Sequence, residues 1–170
     1  AGGPGTSSHY MNYYHRTIAS NTLLVFEPEE KVRNDYGKSE AFNDGGQRLV
    51  NNNRLPKTLE DLRSNPAYHT GEVLAHYVGP NPEEPEVSYL EGDLTQAYSE
   101  KVKEAKRSFV FLNFREKEIP GCLIVFDKIT SRNPTLAKYW LLHSMEEPAV
   151  AGDTITLQRT VPGENGRLVN

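Results

Sequence analysis

The side chains best suited to chemistry are concentrated in residues 12–26, which read NYYHRTIASNTLLVF. The first nine of these residues carry phenol, imidazole, guanidinium, hydroxyl and amide groups, and an apolar segment of strand length follows at once. Polar groups held at the mouth of a rigid strand commonly serve a binding or catalytic site. The run therefore predicts a functional surface, on which the tyrosines could stack on sugar rings or move protons. A polar margin that only solvates the entrance of the strand is the alternative.

Histidine spacing gives no sign of a tight metal site. The chain has five histidines, and none of them forms an HxH or HxxxH pair. His9 and His15 flank a tyrosine-rich segment and could meet in space, although an ordinary polar role is the alternative for each. His143 follows an apolar run and is interpreted as a hydrogen-bonded imidazole in the core.

Residues 43–48, with the sequence NDGGQR, form a second polar cluster. The two adjacent glycines permit a tight turn that would bring the amide, carboxylate and guanidinium groups towards one point. Such a point suits a sugar hydroxyl, a carboxylate or another loop. A basic cluster further along the chain is interpreted as the solvated face of a helix; it comprises Lys101, Lys103, Lys106 and Arg107.

Composition restricts the class of protein. The 170 residues suggest one domain, although a hydrophobic share of 36% and a mean hydropathy of −0.64 are on the polar side. A net charge of −4 argues against a nucleic-acid partner, and no apolar stretch is long enough to cross a bilayer. The single Cys122 excludes an internal disulfide and reads as a small core residue. Both ends have the composition of internal segments, so we expect a piece of a longer polypeptide.

The apolar runs predict a mainly β protein, an antiparallel multi-sheet β-sandwich with one or two short helices. Strands are expected at residues 22–26, 72–78, 87–90, 109–114, 122–126, 138–142, 154–157 and 167–169. Helices are expected at 58–63, where Thr58 and Asp61 have capping-box spacing, and at 93–106, with Asp93 as the N-cap. The strands around 109–112 and 123–126 are apolar on both faces and should be covered on both sides.

Several of these segments together resemble the heparinase II/III-like polysaccharide lyases. The resemblance rests on residues 12–26, 43–48, 107–113, 124–129, 138–148 (KYWLLHSMEEP) and 165–170. It implies an N-terminal α/α toroid joined to an antiparallel β-sandwich, with residues 1–170 as a single portion of that sandwich. It also implies β-elimination at a uronic acid of an acidic polysaccharide. In the family a tyrosine or histidine removes the C5 proton, and no catalytic residue of that kind lies in this chain.

The resemblance also implies particular site residues. The candidates that would line the substrate cleft are His9, Tyr13, Arg16, Gln47 and Arg48, with the arginines pairing to carboxylate or sulfate oxygens. The family's sandwich holds a structural zinc ion, and one of its histidine ligands is replaced here by Ser20. A hydroxyl is a poor zinc ligand, so zinc could be absent, held by a neighbour such as His9 or His15, or bound through a water on Ser20.

The function expected from the resemblance is that of a portion of a lyase for heparin- or heparan-sulfate-like glycans. Two alternatives stay open, namely a non-catalytic carbohydrate-binding or structural sandwich and an alginate lyase of the same fold. The expected partners are an acidic polysaccharide and the toroid of the same polypeptide, with a homodimer as a further option. Nucleic acid and membrane are not expected as partners. The resemblance implies a periplasmic or secreted protein.

Overall fold

The computed structural model describes residues 16–31, 43–47 and 56–158, and these are mainly β-structure. Within those ranges the strands are β1 (Leu23–Phe26), β2 (Glu72–Gly79), β3 (Val87–Asp93), β4 (Val102–Asn113), β5 (Gly121–Ser131), β6 (Ala137–Trp140), β7 (Ala149–Ala151) and β8 (Thr154–Thr156). One short α-helix, α1, spans Leu59–Ser64. Single 3₁₀ turns span Thr17–Ala19, Pro66–Tyr68 and Thr95–Ala97.

All strand pairing among the described residues is antiparallel. The central sheet has the order β2-β3-β4-β5, so its strands follow one another as a meander. Two smaller sheets pair β1 with β6 and β7 with β8. The predicted fold class, a mainly β protein with several antiparallel sheets and little helix, is confirmed.

The core lies where β1 meets one end of the central sheet. Val25 of β1 is fully buried (0% exposed) and packs with four buried residues that surround the start of β4; these are Ala97, Tyr98, Val102 and Ala105. Burying a valine side chain contributes about 1.5–3 kcal/mol. This contact places the two-stranded sheet β1-β6 against one face of the central sheet, and it fixes the position of the polar residues that precede β1.

The predicted helix at residues 93–106 is wrong. Asp93 is the last residue of β3, a 3₁₀ turn occupies Thr95–Ala97, and β4 already begins at Val102. The other helix is confirmed, because α1 begins after Thr58, whose Oγ1 accepts a hydrogen bond of 3.0 Å from the Asp61 N–H. The Asp61 carboxylate in turn accepts a hydrogen bond from the N–H of Lys57, the residue before the N-cap. The side chains of Thr58 and Asp61 therefore satisfy the backbone N–H groups of Asp61 and Lys57 at the start of the helix.

Several predictions about burial also fail. The apolar strands around β4 and β5 are not covered on both faces by the described residues: Leu123 on one face and Ile124 and Phe126 on the other are each about half exposed or more. His143 is exposed rather than in the core, and Cys122 is only partly buried. The strand predicted at 167–169 lies outside the described residues, and β7 has no counterpart among the predicted strands. In the part of the chain that is described, no helix is long and apolar enough to cross a membrane.

Candidate functional site

The turn at residues 43–47 packs directly on β1. The Val25 N–H donates a 2.9 Å hydrogen bond to the Gly45 carbonyl oxygen. Gly45 has φ of +79°, and a Cβ there would lie 3.0 Å from the backbone of Val25 and Phe26. A Cβ on Gly46 would lie 2.6 Å from the Thr17 side chain. Both positions therefore require glycine, and the tight turn predicted from the sequence is confirmed.

This turn is cross-linked to the polar end of residues 12–26. Arg16 Nε and Nη2 lie 2.8 and 2.7 Å from Oδ2 of Asp44, 28 residues away. The other carboxylate oxygen of Asp44 accepts from the Gly46 N–H at 3.0 Å, and the Thr17 hydroxyl accepts from the Gln47 N–H at 2.8 Å. We call residues 16–17 and 44–47 the Arg16 site. It brings together Arg16 and Gln47, two of the predicted cleft residues, through fixed polar contacts.

A buried lysine supports the turn from below. The side chain of Lys101 is fully buried, forms an ion pair with Glu30, and donates a 3.3 Å hydrogen bond to the Gly46 carbonyl oxygen. The Ser99 hydroxyl donates to the same glutamate. Lys101 was predicted to lie on a solvated helix face, and that prediction is wrong. Its charge instead links the segment after β1, the turn and the start of β4.

Tyr98 anchors the same region to the backbone of β1. Its hydroxyl donates a 2.7 Å hydrogen bond to the Leu23 carbonyl oxygen, and its ring belongs to the core. Burial raises the pKa of the Tyr98 phenol, although hydrogen bonds with Thr22 and Gln47 act in the opposite direction. The phenol therefore stays protonated at neutral pH and acts as a structural donor.

A second polar cluster lies on the other side of β1. Arg107 of β4 and Asp127 of β5 stand opposite each other and form a two-bond pair, with Nε–Oδ1 at 2.6 Å and Nη2–Oδ2 at 2.9 Å. Both side chains are only 11% exposed. Arg107 Nη1 also donates to the Asn21 carbonyl oxygen at 2.6 Å, and the Trp140 indole N–H donates to Asp127 at 3.1 Å. Four separate chain segments meet at this pair.

The solvent side of this cluster is formed by Asn21, Trp140 and His143, and we call these residues with Arg107 and Asp127 the Asn21 site. The Asn21 side-chain oxygen accepts from the His143 N–H at 2.7 Å and lies 3.2 Å from His143 Nδ1. Trp140 is 50% exposed. An exposed indole beside amide and imidazole groups is suited to a sugar ring, which presents an apolar face and a hydroxyl rim.

The predictions for individual residues have different outcomes. Arg16 and Gln47 come together, whereas His9, Tyr13 and Arg48 lie outside the described residues. Sequence reasoning missed the pairing of Arg107 with Asp127, and it treated Arg107 as part of a helix face. The available signal was that both residues belong to segments that carry the family resemblance.

Ser20 does not form part of a metal site among the described residues. It is exposed at the end of the Thr17–Ala19 turn, where its N–H donates to the Thr17 carbonyl oxygen at 3.0 Å. No group of three histidine, cysteine, aspartate or glutamate side chains that could hold a metal occurs in the ranges that the structure describes. His15 and His9, the neighbours considered as substitutes, lie outside those ranges. Among the described residues Ser20 therefore has no metal ligands beside it, and the zinc site that the resemblance implies stays a prediction.

Comparison of the sequence with protein-family models and with curated proteins gives no match.

Proposed function

We propose that this chain is the β-sandwich portion of a polysaccharide lyase that cleaves acidic, glycosaminoglycan-type glycans by β-elimination. In this proposal the sandwich supplies the scaffold and one wall of the substrate cleft. Most of the groups that remove the C5 proton and assist the leaving oxygen belong to the toroid domain of the same polypeptide, and a further histidine belongs to the part of the sandwich upstream of this segment. A periplasmic or secreted location is part of the same proposal.

One observation carries the proposal, namely that five of the six segments with the family resemblance converge; the sixth, 165–170, lies outside the described residues. Residues 12–26 and 43–48 meet through Arg16 and Asp44, which are 2.7 Å apart. Residues 107–113, 124–129 and 138–148 meet at Asp127, which bonds both Arg107 and Trp140. Asn21 then connects this second group back to the first segment. Segments chosen for their sequence alone thus share two polar clusters next to β1, and this convergence supports a common functional surface.

The charges of these clusters define what the wall can do. Arg16 and Arg107 each face a carboxylate, so neither cluster adds a net positive charge to the surface. A β-elimination needs the uronate carboxylate neutralised and a base at C5, and no described cluster provides both. The wall can orient a glycan through exposed amide, imidazole and indole groups at Gln47, Asn21, His143 and Trp140. The wall therefore positions the glycan, and the chemical step depends on groups outside the described clusters.

Incubation of this chain with heparin tests the proposal. We expect weak binding that depends little on salt, because both arginines are already paired with carboxylates and the exposed contacts are amide, imidazole and indole groups. We also expect no rise in the ultraviolet absorbance of unsaturated uronate, while the complete polypeptide produces that rise. Absorbance produced by the isolated chain would overturn the assignment of the chemistry to the toroid. The same assay with alginate in place of heparin distinguishes the two lyase substrates.

Two observations favour a second candidate, a non-catalytic carbohydrate-binding sandwich. Both arginines are already paired with carboxylates, and position 20 is a serine instead of the family's histidine ligand. It predicts glycan binding by the complete polypeptide without release of unsaturated uronate from heparin or alginate. Zinc, if the complete polypeptide binds it, would need ligands outside the described residues, since Ser20 has no ligand cluster around it in those ranges.

A further inference from the structure

A cavity of about 840 Å³ lies at one end of the central sheet, and no residue of the Arg16 or Asn21 sites lines it. The beginning of β2, the end of β3 and the first half of β4 form its wall. Three charged residues lie side by side on neighbouring strands here: Glu72 of β2 is paired with Asp93 of β3, and Asp93 is paired with Lys106 of β4. Gln96, Lys103 and Glu104 also line the cavity.

Two irregularities of the sheet flank this cavity. The register of β2 against β3 shifts between Val73 and Ala75, and the register of β4 against β5 shifts between Val102 and Glu104. A β-bulge adds one residue to a strand and re-aims its side chain, and bulges are over-represented beside functional sites. Lys103 is the extra residue of β4, and it lines the cavity.

Two carboxylates of the lining already have partners within the chain. Glu104 is paired with Lys106 at 3.3 Å and with Lys128 at 2.9 Å, and these contacts lower its pKa. Asp93 accepts a 2.8 Å hydrogen bond from the Thr95 N–H. Burial by itself would raise the pKa of Asp93, but its bonds with Thr95 and the charge of Lys106 outweigh that effect, so the pKa is lowered. Both carboxylates are ionised at neutral pH and hold fixed positions.

The remaining polar groups of the lining point to the ligand. Among the described residues, Lys103, Glu72 and Gln96 have no hydrogen bond or ion pair from their side chains. They provide a cationic donor, an anionic acceptor and an amide that does both. A sugar hydroxyl also both donates and accepts, so it can use all three groups. Three carboxylates face two ammonium groups in this lining, which gives no net attraction for a polyanion.

We propose that this cavity binds a neutral oligosaccharide through its hydroxyl groups, at a site separate from the Arg16 and Asn21 sites. Its volume is within the range of about 300–1,000 Å³ that is typical of small-molecule sites. Lys103 and Glu72 are the principal contacts, one donating to and one accepting from ring hydroxyls. This inference does not rest on the lyase proposal, because it concerns different residues and an uncharged ligand.

Titration of the full, ¹⁵N-labelled chain with maltotriose, cellotriose and a heparin tetrasaccharide tests this site. We expect a neutral trisaccharide to shift the amide resonances of residues 72, 93 and 103. Lys103→Ala and Glu72→Gln should each weaken that binding about tenfold, since the first removes a charged donor and the second replaces a charged acceptor with a neutral one. Both residues are exposed, and the amide spectrum itself shows whether each variant is folded.

Lys117→Ala is the matched control, because Lys117 is an exposed lysine in the loop between β4 and β5 and does not line the cavity. It should leave the affinity for the trisaccharide unchanged. The proposal is wrong if neither neutral trisaccharide shifts these resonances, or if only the heparin tetrasaccharide does so. Equal weakening by Lys117→Ala and Lys103→Ala would also contradict it, because the effect would then be one of overall charge.

Discussion

Replacing Arg107 by alanine should lower the free energy of unfolding by about 3–5 kcal/mol. The guanidinium makes two bonds to Asp127, at 2.6 and 2.9 Å, and a third to the Asn21 carbonyl oxygen. Both charged side chains are 11% exposed, so the alanine variant leaves the carboxylate largely buried and without its cation. It also releases the contact that ties β4 to the residues before β1. Urea unfolding followed by circular dichroism measures the change.

Lys128→Ala is the control for this experiment. Lys128 lies one residue along β5 from Asp127 and pairs with Glu104 at 2.9 Å, but its side chain is 59% exposed. Its loss should cost about 0–1 kcal/mol, because exposed ion pairs contribute little. Similar losses for the two variants would show that the Arg107–Asp127 pair does not hold the strands together.

Replacing Lys101 by alanine should also lower the free energy of unfolding by about 3–5 kcal/mol. The side chain of Lys101 is fully buried, and its removal leaves Glu30 and the Gly46 carbonyl oxygen without this partner. Because Gly46 belongs to the Arg16 site, the variant should also loosen that site. Urea unfolding measures the stability, and the amide resonances of residues 44–47 report on the turn.

The matched control is Lys103→Ala, two residues further along the chain and inside β4, whereas Lys101 directly precedes that strand. Lys103 is exposed, so this change should stay within about 0.5 kcal/mol of the parent chain. The double variant Lys101→Met with Glu30→Gln should lose less than Lys101→Ala alone, since it removes both charges together. An Lys101→Ala variant as stable as Lys103→Ala would refute the role assigned to the buried pair.

The strands could be predicted well from the sequence, because apolar runs between turn signals are a local property. Residues 22–26 and 122–126 were identified in this way, and both contain strand. The strand lengths were underestimated where polar residues continue the strand pairing, as at the beginning of β4 and the end of β5. The covering of β5 could not be predicted, because side-chain polarity shows what a strand would bury and not which element covers it.

The wrong helix at 93–106 was predicted from Asp93 as an N-cap and from the lysine-rich end of the segment, and the spacing of its buried residues would not have corrected the prediction. Val102 and Ala105 are both buried in the core, and a spacing of three residues is typical of one face of a helix. In a regular strand these two side chains would point to opposite faces. The bulge at Lys103 adds one residue between them and returns both to the same face. A bulge is fixed by pairing with the neighbouring strand, so the sequence of this segment alone could not reveal it.

The candidate site was predictable only in part, for a similar reason. The turn at 43–47 follows from two adjacent glycines, and the polar run before β1 follows from its composition. Their contact through Arg16 and Asp44 joins residues 28 positions apart, and the Asn21–His143 contact joins residues 122 apart. Periodicity carries no information over such separations, and only the resemblance had placed these segments together.

The most direct test of the central claim, that the Arg16 site faces an acidic glycan, compares two variants of equal charge. Asp44→Asn removes the carboxylate charge beside Arg16 and keeps an acceptor for the Gly46 N–H. Asp153→Asn removes one charge from the exposed hairpin between β7 and β8, so each variant raises the net charge of −4 by one. Heparin affinity at low salt should rise about threefold to tenfold in Asp44→Asn and stay within about twofold in Asp153→Asn. Equal affinities of the two variants for heparin would contradict the claim.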